Sequence, residues 1–357
     1  MSLKDIAKEV GTSVSTVSRV LNNPQHSCNK SGLEEKIWEI AKKQKYTPNL
    51  NAKKLKCGTQ QEEKHYTIDI FLTRFSSLNE DPFFNEVYLY LKDEILEHGC
   101  ILGEMLNYID IISLTEKSVS KVPFKSFDEV VSIKQKQPLS TIEHKKDTGL
   151  IILGKCPTEL IQTLKKRYSY IVGIDRNPTN FEYDEVICNG MTAAEMAVEY
   201  LISLGHRDIA YIGDCTYETR YIGYYQALFN HKIPLNHSNI YPSNQTKKDG
   251  YKIMKSILEK DVLPSAIFCA NDITAVGVLE AIKSSRKKYY PSVVSIDNIK
   301  ESEQTDPMLT TIDIPKKETG HLALTLLLDQ IKGKHKNNVR VELPCKLIVR
   351  SSCYNKL

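Results

Sequence analysis

The chain has 357 residues, 41% hydrophobic and 26% charged, with a formal net charge of +4, a length that fits two or three globular units. Charge at Lys4, Asp5, Lys8 and Glu9 precedes any apolar run, and the nine cysteines stand singly without CxxC or Cys/His spacing; these features exclude a signal peptide, a membrane span, a disulfide framework and a metal site, and imply a cytoplasmic protein with reduced thiols. Residues 1–58 carry 11 Lys+Arg against 5 Asp+Glu, whereas the rest carry 37 against 39, so the basic character is confined to the N-terminal sixth: either a nucleic-acid-binding head on a neutral body or a solvated lysine face.

The stretch Ser2 to Asp5 reads as a capping box that starts a first helix, with Ile6, Ala7 and Val10 as its apolar face and Gly11 as its stop. A second helix begins after Ser13 or Val14. Val17, Val20 and Leu21 share one stripe at helical spacing, which turns Ser15, Ser18, Arg19 and Asn22 outward. A third helix, capped by Ser31 and Glu34, presents Leu33, Ile37, Ile40 and Ala41, with Trp38 beside them. Two short helices joined by a glycine turn and braced by a third make a helix-turn-helix. On the exposed second helix, Thr16 and Ser18 suit phosphate oxygens, while Val14, Ser15 and Arg19 are placed to reach base edges in a major groove. The alternative is a generic amphipathic three-helix bundle. Beyond it, Pro48 and Asn49 mark a start and Gly58 a stop, leaving about two turns, too few for a helix that is stable alone. This segment is either a hinge that folds only on DNA or a plain basic linker.

From residue 66 onward, apolar β-branched runs at 66–72, 100–106, 148–154, 170–175, 208–214, 265–271 and 291–297 alternate with helical segments. The pattern is βαβα, so two doubly wound parallel sheets with a cleft beyond their carboxyl ends are expected. Polar and aromatic residues gather at those ends: Asp81, Phe83 and Phe84, then Arg220, Asn271, Asp272 and Asp297. An aromatic face, an arginine and several carboxylate or amide groups suit a sugar. Asp272 is read equally as a helix N-cap. No G-x-S-x-G, H-E-x-x-H, P-loop or G-x-G-x-x-G is present, and His206 and Asp208 sit at the opposite end of the sheet, so no enzyme is expected.

The N-terminal run "LKDIAKEVGTSVSTVSRVLNN", followed by "YTPNLNAKKLKCG", resembles the headpiece of the lactose/galactose repressor (LacI/GalR) family. The core segments "GLIILG", "GHRDIAYIGD", "ANDITAVGVLEAI", "LTTIDIP" and "LPCKLIVRSS" stand in that family's order. The resemblance implies that Val14 and Ser15 are the specificity pair and Arg19 a third reader. It also implies a hinge helix from Asn49 to Lys56 that brings Asn49, Ala52 and Lys54 to DNA and inserts Leu55 into the minor groove. In the core it implies that Phe83 or Phe84 stacks on a ligand ring and that Arg220, Asn271 and Asp297 bind its hydroxyls. Asp81 replaces a frequent Asn, the loop "PQHSCNKSG" and the turn residues Val10 and Thr12 depart from the pattern, and residues 107–147 have no register.

The organisation expected is a headpiece at 1–48, a hinge and linker at 49–64, and an effector-binding and dimerisation core at 65–357. Within the core, one subdomain is expected at about 65–157 and 312–330, the other at about 158–308 and 331–357. The function expected is a homodimeric repressor of carbohydrate-utilisation genes, released from a palindromic double-stranded operator by a small sugar, with no cofactor and no metal. The alternatives are a corepressor-type regulator with a purine-like ligand and a cytoplasmic sugar-binding protein.

Overall fold

The computed structural model describes residues 3–22, 33, 36, 37, 40, 65–74, 77–107, 144–216 and 218–356. The chain divides into two units, Met1–Lys64 and His65–Leu357. In the first, α1 (Leu3–Val10) and α2 (Val14–Asn22) are joined through Gly11, whose φ of +73° lies in the left-handed region that glycine reaches without strain. Ile6, Ala7, Val17, Val20 and Ile37 form a small core, against which Val10, Val14, Leu33 and Ile40 pack. The expected hinge and linker, including Asn49, Ala52, Lys54 and Leu55, lie outside the described residues, as do most of the third helix and residues 108–143.

Among the described residues the second unit contains two six-stranded sheets. In the first, β1 (Thr67–Leu72), β2 (Ile101–Asn107), β3 (Lys145–Leu153), β4 (Tyr168–Asp175), β5 (Asp184–Ile187) and β11 (Arg340–Glu342) run in the order β11-β5-β4-β3-β1-β2. The second holds β6 (Ile209–Gly213), β7 (Ile240–Pro242), β8 (Ala266–Cys269), β9 (Ser292–Asp297), β10 (Thr310–Asp313) and β12 (Lys346–Ile348) in the order β12-β10-β9-β8-β6-β7. Among the described residues every pairing is parallel except β10 with β12.

Residues on one strand alternate between cores because successive side chains point to opposite faces. Ile209 and Tyr211 enter one cluster, Ala210 and Ile212 another. The helices that cover the sheets are α3 (Pro82–Glu97), α4 (Thr158–Arg167), α5 (Gly190–Ser203), α6 (Thr219–Asn230), α7 (Lys247–Leu258), α8 (Asp272–Lys283) and α9 (Lys316–Ile331). Among the described residues no helix is long and apolar enough to cross a membrane.

The expected subdomain limits need correction. Residues 168–187 and 340–342 belong to the first sheet, and 310–313 to the second. The apolar runs identify strands but carry no mark of which sheet receives them; pairing partners decide that, and one of the two partners of β5, β11, lies about 155 residues later. Among the described residues the chain therefore crosses between subdomains three times: between β5 and α5, between β10 and α9, and between β11 and β12.

At the end of the second sheet opposite the cleft, His206 is fully buried and bonded to Ser265 at 3.0 Å, Ser292 at 2.9 Å and the Tyr354 carbonyl at 3.2 Å. It ties the starts of three strands together, a structural task.

Candidate functional site

In the headpiece, Ser13 caps α2: its oxygen accepts the Thr16 amide at 3.1 Å and lies 2.7 Å from the Ser15 hydroxyl and 2.8 Å from that of Thr16. Ser15 is exposed, whereas Thr16 and Val14 are half-buried and Val14 leans on the small core. Ser18, Arg19 and Asn22 lie on the same helix.

In the core, Arg220, Asn271 and Asp297 meet at the carboxyl ends of β6, β8 and β9, as the polar clustering in the sequence suggests. The segment "RYIGYYQAL" explains how α6 delivers its arginine. Gly223 abuts α5 so tightly that a Cβ there would sit 2.2 Å from the Met191 carbonyl oxygen. Tyr224 is buried and donates to the Ile209 carbonyl at 2.9 Å. Held from behind, Arg220 donates twice to Glu218, each at 2.9 Å, to Gln245 Oε1 at 2.8 Å and to the Ala270 carbonyl at 2.6 Å. Burial alone would raise the Glu218 pKa, but the guanidinium beside it wins and holds that carboxyl at about 2. Asn271 caps α8 through the Thr274 amide at 3.3 Å and donates to the Gln245 carbonyl at 3.1 Å.

The first sheet supplies the facing wall. Asp81 caps α3 by accepting the Phe84 amide at 3.2 Å, which sets Phe83 and Phe84 edge to face with centroids 5.1 Å apart. Both rings are buried. Arg176, directly after β4, lies 4.1 Å from the Phe83 centroid and forms an ion pair with Asp297 of the other sheet. Burial pushes the Asp297 carboxyl up, and Arg176 and Arg220 oppose that push. Asp297 has φ +130°, an uncommon backbone conformation for a side-chain-bearing residue and one that clusters at ligand sites.

Two more links span the subdomains. Arg74 donates to the Asn244 carbonyl and to Gln245 Oε1, the latter at 3.4 Å. Lys316 donates to the Asp297 carbonyl at 2.7 Å and lies 3.5 Å from Glu86. Beside this cluster a cavity of about 320 Å³ opens at the ends of β3, β4 and β5, bounded among others by Gly154, Asp175, Tyr183 and Thr219. None of the seven effector residues expected from the sequence lines it.

Asp272 departs from expectation. It is fully buried behind the cleft, where its carboxylate accepts from Ser295, from Thr311 at 2.6 Å and from the Ile299 amide at 3.0 Å. With both oxygens occupied by these donors it locks β9, β10 and α8 together, so it is a structural residue, and the N-cap of α8 is Asn271. Burial raises its pKa to about 7 against those donors. A carboxyl raised in the folded state stabilises most when protonated, so this contribution is present below the ordinary carboxyl range and fades as pH rises toward 7. Thermal unfolding at pH 5 and 7.5 should show this fall in the parent and a smaller one in Asp272→Asn; equal falls would remove Asp272 as its source.

Reading the sequence missed Arg74, Arg176, Glu218, Gln245 and Lys316. The "DR" in which the β4 run ends carried a signal, a charged pair at a strand's carboxyl end. Gln245, held at φ +59° in a loop, carried none.

A family model described as "Bacterial regulatory proteins, lacI family" matches residues 2–49, and one described as "Periplasmic binding protein-like domain" matches 198–353. The chain is 30% identical to the HTH-type transcriptional repressor PurR of Yersinia pestis bv. Antiqua (strain Antiqua), over 98% of this chain and 96% of that one. It is 27% identical to the repressor of the same name from Pasteurella multocida (strain Pm70), over 100% and 99%. Among solved structures, the transcriptional regulator CelR–cellobiose complex superposes with a TM-score of 0.65 at 21% identity, covering 99% of this chain and 100% of that one, a likeness of fold. The relatives are transcriptional regulators rather than enzymes.

Proposed function

Because the chain belongs to the lacI family and is a DNA-binding transcriptional repressor, we propose that a neutral small molecule bound among Phe83, Arg176, Arg220 and Asp297 sets its hold on a palindromic operator. The observation that carries this reading is the Arg176–Asp297 pair, which joins the two subdomains across the face of Phe83. A ligand that offers donors to Asp297 and an apolar face to Phe83 competes with Arg176 for both. Whichever subdomain arrangement it favours becomes the more populated, by its differential affinity for the two. Four cationic side chains, Arg74, Arg176, Arg220 and Lys316, stand near five carboxylates, Asp81, Glu86, Asp175, Glu218 and Asp297, a balance that favours an uncharged ligand.

A sugar fits first, since its C–H face stacks on an aromatic ring and its hydroxyls both donate and accept. Asp81, Phe83, Phe84, Arg220, Asn271 and Asp297 surround or support it. The second reading, a purine-like corepressor, is favoured by the name PurR of the full-length relatives and by the Phe83 ring face that Arg176 covers at 4.1 Å, on which a flat base would stack in place of the guanidinium. Calorimetry with ribose, cellobiose, adenine, guanine and glucose 6-phosphate separates these readings. Binding of the phosphate ester alone would sink the neutral-ligand reading.

The headpiece reads DNA as a homodimer, one half-site per protomer, with Val14, Ser15 and Arg19 at base edges, Thr16, Ser18 and Asn22 along the backbone, and the hinge residues Asn49, Ala52, Lys54 and Leu55 in the minor groove. Arg19→Ala is expected to lose about 1–3 kcal/mol of discrimination at one base pair of each half-site. Fluorescence anisotropy on a library of palindromic duplexes checks it; uniform weakening over all sequences would reduce Arg19 to a phosphate contact.

A further inference from the structure

Two of the three crossovers between subdomains carry a cysteine. Cys188 follows β5 directly, and Cys345 lies between β11 and β12. Because β5 and β11 pair in parallel, with Ile187 opposite Glu342 and the Leu343 amide donating to the Ile187 carbonyl at 2.8 Å, the two crossovers leave the first sheet side by side. Both side chains belong to one apolar cluster, Cys188 buried and Cys345 half-exposed. We propose that Cys188 and Cys345 form a reversible dithiol–disulfide couple, a modification site that staples two hinge crossovers to each other when the cell meets a hydroperoxide.

The chemistry follows from the unequal settings of the two sulfurs. The two thiols neighbour each other in that cluster, and their interaction lowers the Cys345 pKa against the effect of its burial and raises that of Cys188. Cys345, the more accessible sulfur and the better thiolate, attacks the distal peroxide oxygen; the O–O bond breaks, the peroxide is reduced to water or an alcohol, and Cys345 is oxidised to a sulfenic acid. The Cys188 sulfur then attacks Cys345, forming the S–S bond and breaking S–O, and its proton leaves with the hydroxide as water. One two-electron peroxide is consumed per disulfide, and a thiol reductant restores the pair. The remaining described cysteines are placed elsewhere: Cys100, Cys156 and Cys269 are buried, and Cys215 and Cys353 lie beyond these crossovers.

Limited hydrogen peroxide applied to the reduced full-length protein tests the couple. Expected are the loss of two alkylatable thiols, a dithiothreitol-sensitive Cys188–Cys345 peptide by mass spectrometry, and at least tenfold slower amide exchange around both crossovers. In Cys188→Ser the same treatment should leave a sulfenic acid at Cys345 that dimedone traps. Cross-linked peptides confined to other cysteines, or full alkylation of both thiols after peroxide, would overturn the proposal. So would a disulfide that leaves exchange at the crossovers unchanged. None of these readouts depends on the identity of the effector or the operator.

Discussion

Arg220→Ala is expected to lower core stability by about 3–5 kcal/mol, the usual cost of removing one member of a buried ion pair, and to remove effector binding with it. The substitution strands more than one group. Glu218 loses two charge-assisted bonds, and Gln245 and the Ala270 carbonyl lose one each, all at buried positions. At about 2–4 °C per kcal/mol for a unit of this size, the fall in unfolding temperature is of order 10 °C. Calorimetric unfolding checks the magnitude, and the pair Arg220→Ala/Glu218→Gln checks the cause. Removing the stranded carboxylate charge should recover part of the loss but none of the ligand binding. A double variant no more stable than the single would show that the cost lies in lost packing.

The second large effect is at Gly223. Alanine has the higher helix propensity by about 1 kcal/mol, so on an isolated helix Gly223→Ala would stabilise. Here its Cβ would stand 2.2 Å from the Met191 carbonyl oxygen and 2.9 Å from the Ala194 Cβ. The first of these is backbone and cannot rotate away, so α5 and α6 must separate. A net loss of about 2–4 kcal/mol is expected, at the upper end of over-packing costs. Because α6 carries Arg220, weaker effector binding should accompany it. Denaturant unfolding measures the first quantity; a stability equal to the parent would show that the two helices part without cost.

Much of this arrangement was legible in the chain. Gly11 between two amphipathic stripes marks the helix-turn-helix, and the runs "DIAYIGD" and "PSVVSID" mark buried parallel strands whose polar ends gather at a cleft. Arg220 and Asp297 were visible because a charge that interrupts an otherwise apolar pattern at a strand end or a helix start has a reason to be there. Other parts were not legible, and the causes are physical. Asp272 and Asn271 are adjacent acceptors at the start of one helix, and the hydroxyls of Ser295 and Thr311 with the Ile299 amide, all supplied by later parts of the chain, decide which of them turns away from the cleft. The strand β5 reads as "DEVI", too charged for a buried strand, until His335 meets Asp184 at 2.6 Å and Arg340 meets Glu185 at 2.8 Å. Arg176 was overlooked for the opposite reason. Its partner Asp297 is 121 residues away on the other sheet, and no local pattern foretells a pair across a cleft.

The late arrival of β11 has a consequence for the chain as it leaves the ribosome. Residues 184–187 emerge about 155 positions ahead of residues 340–342, so at roughly 5–20 residues per second the edge of the first sheet stays open for about 8–30 s. An open parallel edge is a template for strands from other nascent chains, and charge on the edge is the usual safeguard. Asp184 and Glu185 supply it for that interval. The two carboxylates that His335 and Arg340 later bond in the finished sheet are thus its protection against aggregation while it waits for them.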